Sequence, residues 1–165
     1  MYTGAIKRPT LAKDYTEEES EIEELKRHKE GLRARIQKLD MFPIFTLLTH
    51  PKKLAWSGLK AEKVIKEYRN FLFISYLYKN ESTIVPSEEV DEVWHTHIMD
   101  TKKYYMDCMS TFGEILHHSP YLGMDEKTGE EDLRIAERQT RAAYKKELNI
   151  DLPADYSPSF CNAPA

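Results

Sequence analysis

The chain has 165 residues, 41% of them hydrophobic and 32% charged, with a net charge of -4, a pI near 5.9 and a mean hydropathy of -0.64. That length suits one domain, and the acidic balance argues against a protein held to nucleic acid by phosphate contacts. No apolar run approaches the roughly 20 residues of a membrane helix, no apolar leader opens the chain, and two cysteines, Cys108 and Cys161, cannot build a disulfide framework, so a cytoplasmic setting is expected.

Residues 1–15 include Pro9 and read as an irregular lead-in. Thr16 and Glu19 make a capping box that opens a helix to about Leu39. Its first half is acidic and its second half basic, which suits the helix macrodipole. Ile22, Leu25, Leu32, Ile36 and Leu39 form a narrow stripe interrupted by Lys29, so residues 16–39 are the expected surface for a protein partner or for self-association. A short helix follows Pro43 and stops before Pro51, with His50 placed to cap its carbonyls. Ala61, Val64, Ile65, Tyr68, Phe71, Leu72, Ser75 and Tyr76 keep a helical period from about Leu59 to Lys79. The run Phe71 to Tyr78 is apolar all round, which predicts the central buried helix, flanked by the N-terminal helix and the Val90 face.

Ser87 is the expected N-cap of a further helix, with Glu88, Glu89 and Asp91 in its first turn. Gly113 and Gly123 bracket a loop, and a last helix runs from about Gly129 to Leu148. The Pro-rich segment 151–165 reads as an extended, little-constrained tail, whose Tyr156 and Phe160 could anchor it over the histidine cluster. No strand remains. The expected fold is all-α, a single helical domain of five to six helices over residues 16–150.

Four of the six histidines lie between residues 95 and 118, with Asp91, Tyr104, Asp107 and Cys108 interleaved. Histidine is the commonest metal ligand, and a carboxylate can complete its site. His95, His97, His118 and Asp91 are therefore the candidate ligands, with Tyr104 and Cys108 as candidate reactive groups. Taken singly, His97 on an apolar face reads as a hydrogen-bonded core histidine, and Cys108 as a small buried hydrophobe. His117 points away from His118 in an extended loop. No nucleotide-binding motif is present.

Reach tests the cluster. In one continuous helix His97 faces the core while His95 and Asp91 lie on a nearly opposite flank. Gly113 would then sit roughly 24 Å from His97, beyond the about 17 Å spanned by the five residues to His118. A break near Asp100, with Asp100-Thr101 capping a second helix of roughly 18 Å, lets the loop return His118 and reorient the other two.

EYRNFLF (67–73), VPSEEVDEVWHTHIMDTKKYYMDC (85–108) and FGEILHHSPYLG (112–123) resemble the glycine-rich domain-containing-protein-like family of plants, fungi and bacteria. Asp91, Trp94, His95, His97, Tyr104, Cys108, Gly113 and His118 occupy the positions of that family's pattern. Relatives often carry Ser-Pro where this chain has Asp100-Thr101, which implies a new helix starting there. The glycine-rich extension that names the family is absent.

Three functions follow, from different classes. The leading one is a divalent transition metal, zinc or iron, held by the His/Asp cluster, with an open position for activating water or oxygen. The alternative is a non-catalytic interaction module in which the cluster is a structural polar network. The third is a hydrolase using a Cys-His pair.

Overall fold

The computed structural model describes residues 17–118, 122 and 129–159. The expected lead-in, the Thr16 cap, residues 119–121 and 123–128 of the loop, Phe160 and Cys161 lie outside them. Within the described residues there are six helices and no strand: α1 Glu17–Gln37, α2 Phe42–Thr49, α3 Gly58–Tyr78, α4 Glu88–Met99, α5 Thr101–Thr111 and α6 Gly129–Leu148. No described helix is long and apolar enough to cross a membrane.

The chain divides into two units, residues 1–31 and 32–165. In the first, the described part is the N-terminal stretch of α1, which opens on Glu17, Glu18 and Glu19. Its apolar stripe members Ile22 and Leu25 are about half exposed.

The second unit is built around α3, against which α2, α4 and α6 pack. Ser57 caps α3, its hydroxyl accepting from the Lys60 N–H at 3.2 Å. Tyr68, Phe71, Leu72, Phe73 and Ile74 are all almost wholly buried, as the all-round apolarity of this stretch requires. The expected neighbour on the Val90 face is present. On the other side most of the contact comes from α2, through Ile44 and Leu48, while α1 adds Leu32 and Ile36 from its last turns. His50 ends α2 but does not cap its carbonyls through Nδ1, which accepts instead from the Lys52 N–H at 3.1 Å.

The helix carrying VDEVWHTH ends at Met99. Asp100, at φ -83° and ψ 73°, leaves the helical conformation, and its carboxylate accepts from the Lys103 N–H at 3.2 Å to start α5. One residue thus stops one helix and caps the next. Asp100→Ala should cost about 1 kcal/mol in urea denaturation, whereas Asp100→Asn, also a good cap, should cost little. Equal losses for the two would show that the cap contributes nothing.

Beyond α6 the chain turns back. Arg141 donates to the carbonyls of Leu152 and Pro153 at 2.9 and 3.0 Å, and its guanidinium lies 5.4 Å from the centre of the Tyr156 ring. The Tyr156 hydroxyl donates to the Val85 carbonyl. Ser87 and Pro158 form an isolated antiparallel bridge, and the Ser159 N–H donates to the Pro86 carbonyl at 2.9 Å. Residues 151–159 are accordingly strapped across the start of α4.

Candidate metal centre

Asp91 and His95 are one turn apart on α4, so they share a face. His95 Nδ1 lies 3.6 Å from Asp91 Oδ2. The third member arrives through the break. After α5 the chain turns at Gly113, whose φ of 78° is left-handed and favours a residue without Cβ. Leu116 is buried behind it, its carbonyl accepting from the Tyr104 hydroxyl. Two residues later His118 Nε2 sits 3.1 Å from Asp91 Oδ1. The two imidazole centroids are 4.6 Å apart, and the indole of Trp94 lies 4.5 Å from the His118 ring.

Asp91, His95 and His118 each offer one donor atom, all within 4.8 Å of one another. Two atoms bound to one tetrahedral zinc at 2.0–2.1 Å would be roughly 3.3 Å apart; the 3.1 and 3.6 Å separations run to different oxygens of Asp91, and with one donor atom from each residue the group spreads up to 4.8 Å, so the side chains would close in on an ion. The group can hold a metal ion. The Asp91 and His118 side chains are 6% and 12% exposed, whereas His95 is 44% exposed. The carboxylate is therefore set deep and one imidazole stands at the surface.

A residue that sequence reasoning did not place completes the arrangement. Ser159 Oγ donates to Asp91 Oδ2 at 2.7 Å. Burial pushes the Asp91 carboxyl up, but hydrogen bonds from His118 and Ser159 and the nearby charges of His95 and His118 outweigh it. The carboxyl is held below its usual range.

His97 does not join the group. Two residues along an α-helix turn the side chain by about 200°, and the break at Asp100 comes after His97, so it cannot reorient it relative to His95. His97 Nδ1 faces the Tyr68 hydroxyl at 3.0 Å, and Nε2 faces Asp107 Oδ2 at 3.0 Å. Lys103 Nζ reaches the same Asp107 oxygen at 2.9 Å. With both nitrogens engaged and its side chain 2% exposed, His97 is a hydrogen-bonded core histidine. Burial lowers its pKa, with Asp107 and Asp100 acting the other way and Lys103 reinforcing it.

Tyr104 and Cys108 are structural in this arrangement. Trp94 Nε1 donates to the Tyr104 oxygen at 3.0 Å, so this pair ties α4 to α5 and, through the Leu116 carbonyl, to the return segment. Burial raises the Tyr104 pKa. Cys108 is buried, and burial pushes its thiol up despite hydrogen bonding to Leu116 and Tyr104. A nucleophilic cysteine needs the opposite shift. His117 is exposed beside His118.

A cavity of about 650 Å³ adjoins the group, with Asp91, Trp94, His118 and Ser159 in its wall. A family model described as UCP032817-like matches residues 26–153. No curated protein and no solved structure matches the chain.

Proposed function

The chain belongs to the UCP032817-like family, whose description names no activity, and from its site we propose that it is a small helical metalloprotein binding zinc or iron through Asp91, His95 and His118. One observation carries this reading: an imidazole and a carboxylate of α4 and an imidazole of the return loop bring their donor atoms within 4.8 Å. Two histidines and a carboxylate are a donor set of open-sited zinc and iron centres. A metal bound there would supply Lewis acidity and activate water or oxygen.

The protein's own part is orientation and charge. Ser159 orients the Asp91 carboxylate, and a carboxyl pKa below its usual range keeps it anionic at neutral pH. Trp94 covers one side of the His118 ring. The surface position of His95 would leave an ion held there reachable from solvent.

A second reading has its own support. Asp91 already accepts hydrogen bonds from His118 and Ser159, so the group can serve as a polar network fixing the loop and the tail to α4, as in an interaction module. Elemental analysis of untagged protein separates the two. Near-stoichiometric zinc or iron is expected, with affinity reduced about tenfold or more in His95→Ala and His118→Ala. Metal-free protein that also fails to bind added zinc in calorimetry would leave the network reading.

A further inference from the structure

From Glu17 to His28 every residue of α1 is exposed, so about three turns of helix bury no side chain in the chain's own core. A helix of that length is marginal in water by itself, and most helices gain their stability by burying an apolar face. The stripe continues into Leu32 and Ile36, which are buried. Only its first part is open to a partner.

That open part has an internal symmetry. Glu18, Ile22, Leu25 and Lys29 follow one another at spacings of four, three and four residues, so they share one face of the helix. Ile22 and Leu25, in the middle, are 47% and 53% exposed. The spacing is the same read in either direction, while the ends carry opposite charges. Laid antiparallel against a second copy, each Ile22 meets the second copy's Leu25, and each Lys29 meets the second copy's Glu18.

Charge sets the direction. Residues 17–25 hold six glutamates and no base, whereas Lys26, Arg27 and Lys29 follow within the next turn. A parallel pair would place Glu18 on Glu18 and Lys29 on Lys29, with the two helix dipoles aligned side by side. An antiparallel pair opposes unlike charges and unlike dipole ends. A two-fold contact also repeats each pairing, because residue i meets j and j meets i.

We propose that the chain self-associates as a two-fold antiparallel pair of α1 helices over residues 18–29, with Ile22 and Leu25 at its centre and Lys29–Glu18 ion pairs at both ends. A polar pair within an apolar seam fixes register and partner, so Lys29 is the residue that aligns the pair. The proposal does not depend on the metal reading.

Sedimentation of the full chain under reductant tests it. Each copy contributes only two apolar side chains, which places the contact at the small end of interfaces. The expected result is therefore a reversible dimer whose average mass rises between about 10 μM and about 1 mM. Lys29→Glu and Glu18→Lys each set like charges together at both ends and should weaken the dimer about tenfold or more. The double exchange Glu18→Lys/Lys29→Glu restores unlike pairs and should regain most of the association, which a general sensitivity to charge would not produce. Neither position is buried, so the variants should keep the fold. A single 19.4 kDa species up to about 1 mM overturns the proposal and leaves this face to an unrelated partner. A dimer that the single exchanges leave intact, or that the double exchange fails to recover, overturns it as well.

Discussion

Phe71→Ala is expected to cost about 3–5 kcal/mol of folding stability, the range for deleting a buried aromatic ring and leaving a void. Phe71 is 1% exposed. Its ring lies 4.9 Å from that of Trp94 and 6.5 Å from that of Tyr68, so the loss falls where α3 meets α4. The consequence reaches the candidate metal site, because Trp94 also packs on His118. Urea denaturation should show the loss, and Phe71→Leu, which keeps much of the volume, should lose markedly less. A cost below about 1 kcal/mol for the alanine variant would mean that the site collapses freely and that α3 is not the rigid centre described above.

His97→Ala should be the other severe substitution, at about 2–5 kcal/mol. It removes a buried ring, and it leaves the wholly buried Tyr68 hydroxyl without its partner, a term of about 1–3 kcal/mol by itself. Asp107 keeps Lys103, which limits the damage on that side. The same histidine sets a pH dependence. Because burial lowers its pKa in the folded chain below the ordinary 6.5, the folded state prefers the neutral ring. Its contribution is complete above about pH 6.5 and is lost as the pH falls through the folded value. Metal-free wild-type protein should therefore melt at lower temperature as the pH drops below that point, with a weaker dependence in His97→Phe. An unchanged slope in that variant would assign the acid sensitivity elsewhere.

The fold was legible because its signals are periodic. α3 could be placed from eight apolar or small residues at helical spacing, and α4 from Ser87 and the acids behind it. The break at Asp100 could be reached by joining the reach of the return loop, the Asp100-Thr101 capping pair and the Ser-Pro that relatives carry there. What was not legible is which histidine the break would leave behind. Crowding and resemblance both grouped His97 with His95 and His118 although its apolar face read as core, and the position of the break, three residues past His97 and not before it, separates them. The partners of His97, Tyr68 and Asp107, come from two other helices and carry no local signature.

Ser159 was out of reach for a different reason. The tail is held by hydrogen bonds to isolated carbonyls and by a cation over an aromatic ring, none of which repeats along the sequence. Tyr156 and Phe160 hinted that this stretch is anchored, and of the two only Tyr156 lies among the described residues. Nothing in a lone serine distinguishes one that meets a carboxylate from one that meets water.

The strap that places Ser159 against Asp91 also gives the site a history. Translation has made both imidazoles and the carboxylate by residue 118, yet it must add 41 residues before the orienting hydroxyl exists. At about 5–20 residues per second this interval lasts roughly 2–8 s. A nascent chain that meets an ion in those seconds does so with Asp91 not yet steered by Ser159, and the finished chain meets it with the carboxylate fixed. On the metal reading proposed above, an ion met during synthesis and one met after release would find differently oriented carboxylates, with the tail making the difference.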